Sequence, residues 1–264
     1  MYKKYFISIT LFVFLLQLPF EVFSVTPFKF ALFTDMHIST TDSIASLDLQ
    51  NAVNEVNMAK EIEFVLVSGD VTHWGDTISL INARKILQRL LVPFYIVSGN
   101  HDVKPSKSGN TNFVHVFGKD KFRFEKHGYL FIGFATAPII KGGNAVINMS
   151  DLKWVKKQLN KAGKNSPIFV VTHYPLQTGD VDNWKDMTNI LKKFNVKAIL
   201  NGHYHRNVLL NYDGIPGIVN RSTLRKDNYV GGYSIYSVSD SIRVYEKKIG
   251  QQKYNWLTLP IQVQ

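Results

Sequence analysis

Two apolar runs that end alike constrain this chain more than any other feature. "FVLVSGD" (64–70) and "FYIVSGN" (94–100) have the aromatic and branched composition of buried strands, and each closes in Ser-Gly followed by a carboxylate or an amide. Such a group at the end of a core strand is costly to bury without a partner. A chain that builds this ending twice needs something there for those groups to pair with. Between the two runs, residues 77–91 place Ile78, Ile81, Leu87, Leu90 and Leu91 at helical spacing and stop before Pro93. Strand, helix, strand is the unit from which parallel sheets are built.

The alternation continues in both directions. "FKFALFTD" (28–35) reads as a strand, and residues 45–60 as an amphipathic helix through Leu49, Val53, Val56, Met58 and Ala59. After a loop over 103–120, "KFRFEKHGYLFIGF" (121–134) predicts a hairpin turning at His127-Gly128. Ser150 is placed to cap a helix running to Gly163, and "PIFVVTH" (167–173) is a strand. Residues 182–195 form a helix carrying Trp184, Met187, Ile190, Leu191 and Phe194, and "KAILNGHYH" (197–205) follows. From 207 onward only short strands show, with turn signals at Asp213-Gly214 and Gly231-Gly232. No linker, low-complexity stretch or helical repeat interrupts 25–264, so the expectation is a single α/β domain with a β-rich C-terminal tail.

The first 24 residues have the anatomy of a signal peptide. Lys3 and Lys4 form a basic start, Tyr5–Phe20 is apolar, and Val22-Phe23-Ser24 offers a small residue for cleavage. A membrane anchor is the competing reading, but an apolar stretch of 16 residues interrupted by Gln17 is short for a span. Export to the periplasm or the extracellular space is the expectation. The chain has no cysteine, which excludes disulfides, thiolate metal sites, a cysteine nucleophile and a lipid-modified cysteine anchor. Its formal net charge is +11, of which the leader contributes +1. A basic balance favours anionic partners, although the lysines of "WVKKQLNKAGK" (154–164) and "LKKF" (191–194) also suit the solvated faces of helices.

Five strand ends carry potential metal ligands: Asp35 and His37, Asp70, Asn100 with His101 and Asp102, His173, and His203 with His205. In open α/β sheets, sites gather beyond the carboxyl ends of strands. Asp35 and His37 are two apart, as are His203 and His205, so each pair points one way in an extended segment. Carboxylate, amide and imidazole donors without thiolate suit Mn, Fe or Zn better than Ca or Mg. Two such ions can share a bridging carboxylate, for which Asp70 is the candidate. His73, His115 and His127, outside these motifs, read as ordinary core or surface residues.

In this order, D-x-H, G-D, G-N-H-D, a lone His after a strand and G-H-x-H resemble the calcineurin-like metallophosphoesterases over about residues 28–205. The resemblance implies a four-layer α/β/β/α sandwich of two mixed β-sheets flanked by helices, with two metals between the sheet ends. It implies that Asp35, His37 and His205 hold one metal, that Asn100, His173 and His203 hold the other, and that Asp70 bridges them. His101 would be the catalytic imidazole beside the leaving-group oxygen, and a hydroxide between the metals the nucleophile. The implied activity is hydrolysis of phosphomonoesters or phosphodiesters.

The chain departs from the family at one position. In the protein-phosphatase branch an acid three residues after the bridging Asp orients the catalytic His, and in the purple acid phosphatase branch that position is a tyrosine ligand. Here it is His73, so the orienting group is expected to be Asp102 or Asp76, or to be absent. Arg221 and Arg225, in "DGIPGIVNRSTLR" (213–225), are candidates to grip a substrate phosphate, against a reading as surface arginines. Trp74, Tyr174 and Trp184 either line a pocket or pack, Trp184 more naturally packing on its helix's apolar face. Two other functions are open: an exported nuclease, although no nucleic-acid motif is visible, and a non-catalytic metal-containing module that binds anionic polymers.

Overall fold

Side chains along the first strand alternate between two apolar cores: Phe28, Phe30 and Leu32 enter one, Ala31 and Phe33 the other. A strand buried on both faces belongs to a sheet covered on both sides, and the computed structural model, which describes residues 26–103, 106–136, 144–225 and 230–261, shows two of them. In chain order the elements are β1 (Phe28–Phe33), α1 (Ser43–Met58), β2 (Ile62–Val67), α2 (Thr77–Leu87), β3 (Phe94–Ile96), α3 (Asn100–Val103), α4 (Thr111–Phe117), β4 (Lys121–Lys126) and β5 (Tyr129–Phe134). They continue as α5 (Met149–Ala162), β6 (Ile168–Val171), α6 (Trp184–Leu191), β7 (Val196–Asn201), β8 (Val208–Tyr212), β9 (Ile215–Val219), β10 (Gly232–Val238), β11 (Ser241–Lys248) and β12 (Tyr254–Pro260).

One sheet runs β12-β11-β10-β1-β2-β3, parallel through β1, β2 and β3 and antiparallel from β10 outward. The other runs β4-β5-β6-β7-β9-β8, with a parallel centre and antiparallel edges. Three apolar layers separate the parts. Helices α1, α2 and α4 pack on the outer face of the first sheet, α5 and α6 on that of the second, and an aromatic-rich core lies between the sheets. In that core Phe30 stacks on Tyr236 at 4.7 Å and on Phe64 at 5.0 Å, and Phe124 stacks on Phe131 at 4.9 Å. Helix, sheet, sheet, helix is the four-layer order.

Several local expectations are corrected. The buried face of α2 is Leu80, Ala83, Ile86 and Leu87, while Ile78 and Ile81 are exposed. Met58 is likewise exposed at the end of α1. Ser150 lies within α5, whose N-cap is Asn148. The segment 103–120, read as loop, contains α4. The C-terminal strands are not a tail: β10 pairs with β1 at the centre of the first sheet, and β8 and β9 complete the second. The proposed leader lies outside the described residues. Among the described residues no helix is long and apolar enough to cross a membrane.

Candidate metal centre

Each donor leaves a strand at its carboxyl end. Asp35 and His37 follow β1, Asp70 follows β2, Asn100 opens the single turn α3 after β3, His173 follows β6, and His203 and His205 follow β7. Asp35, His37, Asp70, Asn100 and His173 are buried. Glycines allow the strand ends to close in. A Cβ on Gly99 would sit 2.3 Å from both the backbone nitrogen and Oδ1 of Asp70, and one on Gly202 would sit 2.0 Å from Thr34 Oγ1.

The donors form two groups. In the first, His205 Nε2 lies 3.1 Å from Asp35 Oδ1 and 3.1 Å from His37 Nε2. In the second, His173 Nε2 lies 3.2 Å from Asp70 Oδ2 and 3.1 Å from Asn100 Oδ1, with His203 completing the set. Asp70 Oδ2 is also 3.9 Å from His37 Nε2, so this carboxylate lies between the groups. The remaining oxygens are fixed by the chain itself. Asp35 Oδ2 accepts from Thr34 Oγ1 at 2.8 Å and from the His203 N–H at 3.0 Å, and Asp70 Oδ1 accepts from the His101 N–H at 2.8 Å. Asp35 Oδ1 is buried and has no hydrogen-bond donor. An unsatisfied carboxylate oxygen facing imidazole nitrogens is what a cation would resolve, and the donor set fits a hard-to-borderline metal.

Protonation follows the geometry. Burial, followed by the Asp70 and Asp35 carboxylates acting against it, leaves His37 at about 4, and burial with the His173 charge holds His203 at about 4. For His173, burial is outweighed by Asp70 and Asp35, which lift the ring to about 9. Its Nδ1–H donates to the Ser68 carbonyl at 2.8 Å, leaving Nε2 toward the cluster. Asp70 is buried, yet the charges of His173, His37 and His101 hold its carboxyl far below the usual range.

His101 sits at the edge of the cluster, half-buried, its ring 4.7 Å from that of His37. Its Nδ1 meets the His73 carbonyl at 3.0 Å. This corrects the expectation that Asp102 or Asp76 steadies the ring. Asp102 is fully buried and accepts from the N–H groups of Val71, Thr72 and Gly99 and from Thr72 Oγ1, clamping the turns after β2 and β3 together. Asp76 caps α2 through the Ser79 N–H. The orienting group is a backbone carbonyl, which no residue type could announce.

The two arginines are also corrected. Arg221 donates to Glu246 at 2.9 Å and to the Val230 carbonyl at 2.7 Å, and Arg225 forks onto the buried Asp48. Both guanidiniums are used within the fold. Of the aromatic residues, Tyr174 is buried with its ring 4.2 Å from His203, Trp74 is exposed against His73, and Trp184 packs at the edge of the helical layer. His73 is not the ordinary residue it reads as, since the fold groups it with His37 and His101. His127 belongs to the β4–β5 turn, bonded to Glu63, and His115 is an exposed residue of α4.

Comparison with known proteins bears on this geometry. The profile of the calcineurin-like phosphoesterases matches residues 28–207. The mouse serine/threonine-protein phosphatase CPPED1 is 26% identical over 191 residues, covering 64% of this chain and 61% of that protein, so the chain spans about three fifths of that relative's length. A probable cyclic nucleotide phosphodiesterase of Ruthia magnifica is 25% identical over 229 residues, covering 81% of this chain and 94% of that protein. Among solved structures, a dimetal phosphatase from Danio rerio superposes with a TM-score of 0.69 at 14% identity, over 89% of this chain and 99% of that one, a likeness of fold. With more than half of its residues inside the matched region, the chain belongs to the calcineurin-like phosphoesterase family.

Proposed function

We propose that this chain is an exported metal-dependent hydrolase of phosphomonoester or phosphodiester bonds, with Mn, Fe or Zn as its two cations. The convergence carries the reading: two carboxylates, one amide and four imidazoles come from five strand ends, and Asp35 and Asp70 make ion pairs only with histidines among the described residues. Asp35, His37 and His205 would hold one cation and Asn100, His173 and His203 the other, with Asp70 between them. When bound, the pair of cations lowers the pKa of a water and offsets charge on the phosphoryl oxygens.

The chain's own residues supply the rest. With its Nδ1–H held by the His73 carbonyl, His101 has Nε2 left for the substrate. Protonated there, it donates to the departing oxygen, a role worth about 10²–10⁴ in rate. The His101 N–H on Asp70 Oδ1 ties proton donor and bridging carboxylate to one turn of helix, so the two keep their spacing. Relatives carrying phosphatase and phosphodiesterase names support the reaction class.

The test is hydrolysis of p-nitrophenyl phosphate and bis(p-nitrophenyl) phosphate by protein loaded with Mn, Fe or Zn. Asp70→Asn and Asn100→Ala, each folded, are expected to lose at least about 100-fold of the activity. Unchanged hydrolysis in both variants would overturn the proposal. The leader composition supports export, and mass analysis of the protein from a secreting host is expected to show a mature chain beginning near Val25.

A further inference from the structure

Asp180 is a carboxylate that the proposed reaction does not use. It is buried at 7% exposure and lies in the loop between β6 and α6. Other buried carboxylates outside the centre have evident compensation: Asp48 has the Arg225 fork, Asp151 has Lys121 at 2.5 Å, and Asp102 has three backbone N–H groups and a hydroxyl. Asp180 has no Lys or Arg ion pair among the described residues. Its Oδ2 accepts from Tyr204 Oη at 2.5 Å and from Gln177 Nε2 at 3.0 Å, and Gln177 also donates to Tyr204 Oη at 2.6 Å. Its Oδ1 faces His203 Nε2 at 3.7 Å, and that is its one ion-pair contact.

This arrangement has a direction. A buried carboxylate without a cationic partner is costly, and among the described residues the group that faces Asp180 Oδ1 is the His203 ring. A cation held by His203 would draw electron density from the imidazole and strengthen the attraction between its other nitrogen and the carboxylate oxygen 3.7 Å away. The carboxylate in turn would fix the ring's rotation. The backbone prepares for this: the Ala145 N–H donates to the Asp180 carbonyl at 3.0 Å, and residue 145 bridges residue 181, so the loop is pinned to its neighbour. Tyr204 fills the variable place of Gly-His-Tyr-His, and through it the motif that supplies two imidazoles also supplies the donor that holds their brace.

We propose that Asp180, held by Tyr204 and Gln177, is the positioning residue for His203, orienting this imidazole and supplying the counter-charge for a cation in the Asp70, Asn100 and His173 group. The inference rests on the reading of that group as a metal site. It adds a residue outside the seven donors and explains the tyrosine between the two histidines.

The experiment is a calorimetric titration of chelator-stripped protein with Zn, paired with the thermal midpoint of the metal-free protein. Wild type is expected to bind two ions. Asp180→Asn is expected to bind one with wild-type affinity and the other about 10–100-fold more weakly, with the metal-free midpoint little changed. Asp180→Glu is expected to recover part of the loss. Should the Asn variant fold poorly, Tyr204→Phe, which loosens the brace but keeps the carboxylate, is expected to weaken the same step several-fold. If wild type binds fewer than two ions, the metal-site reading itself fails. If wild type binds two and both variants bind like it, or if both steps weaken only in line with lost metal-free stability, Asp180 is a structural residue and this proposal is wrong.

Discussion

Backbone strain in this molecule is concentrated on the donors. Asp35, His37, Asp70, His203 and His205 all have positive φ, between 49° and 73°, and the other two non-glycine residues with positive φ among those described, His127 and Asp213, turn hairpins. Each such residue costs about 1–3 kcal/mol unless its surroundings determine it, which marks the five as held in place for chemistry rather than for folding. Protonation at His173 follows from the same crowding. Burial lowers its pKa but Asp70 and Asp35 raise it further, to about 9, so in the metal-free protein the charged ring adds stability in full below about pH 6.5 and loses it as pH rises through about 9. A cation needs the neutral ring and must displace that proton. Loading at pH 7 is therefore expected to release about one proton from His173, seen as a calorimetric heat that depends on the buffer's ionisation enthalpy, and to tighten between pH 6.5 and 9. A pH-independent affinity would contradict the assignment. Away from the centre, Arg225→Ala strips a partner from Asp48, whose side chain is 1% exposed, and leaves the carboxylate its contact with the Arg225 N–H. Because the guanidinium is itself 39% exposed, the expected loss is about 1–3 kcal/mol by denaturant titration, with little change in kcat for aryl phosphates.

At the scale of elements, the site depends on how closely strand ends approach, and glycine sets the limit. A Cβ at position 202 would lie 2.0 Å from Thr34 Oγ1 and 2.6 Å from Asp35 Oδ2, so Gly202→Ala must either displace these side chains or push β1's end away from β7's. Metal affinity of the Asp35, His37 and His205 group is expected to fall about 10–100-fold, while the apolar layers, which this contact does not touch, keep the protein folded by circular dichroism. Wild-type affinity in this variant would show that the strand ends are looser than the structure implies. Strand ends of this kind were legible in the sequence because an apolar run must finish where polar groups begin, and five such finishes carried donors. The faces of helices were less so. In α2 both Ile78/Ile81 and Leu80/Ala83/Leu87 have helical spacing, and only the connection from β2 decides which stripe meets the sheet. The seven residues of α4 are too few to show a period. Roles that depend on backbone groups, such as the His73 carbonyl on His101 or the N–H cradle around Asp102, leave no mark in residue type. Asp180 lay in a loop whose partners, Gln177 and Tyr204, meet only in the folded chain.

Over the whole molecule, the donor set is divided between the two sheets. Asp35, His37, Asp70 and Asn100 belong to the ends of β1, β2 and β3 in one, His173, His203 and His205 to the ends of β6 and β7 in the other. The sheets are otherwise joined by the aromatic core between them, a contact without direction, and by a few polar contacts such as Tyr236 Oη to Asn220, Arg221 to Glu246 and His127 to Glu63. At the carboxyl ends that core gives way to buried charge, where the Asp70 carboxylate opposes ionisation of both Asp35 and Asp102. Two cations held across this gap would act as a cross-link between sheets as well as a catalytic device. The consequence is thermodynamic. A ligand that binds only the folded state at about 1,000 times its Kd adds about 4 kcal/mol, which for a chain of this size shifts the midpoint by roughly 8–16 °C. Chelation is therefore expected to lower the thermal midpoint by about 10 °C. In the same experiment hydrogen exchange should accelerate at residues 34–38, 68–73, 99–103, 172–174 and 201–205 together, because opening one sheet end releases the other. Acceleration confined to one sheet would mean that the two groups load independently and that the cations do not couple the halves of the sandwich. An unchanged midpoint, with metal loss verified by elemental analysis, would mean that the aromatic core and its polar contacts hold the sheets without the cations and that strain at the donors is offset within the chain.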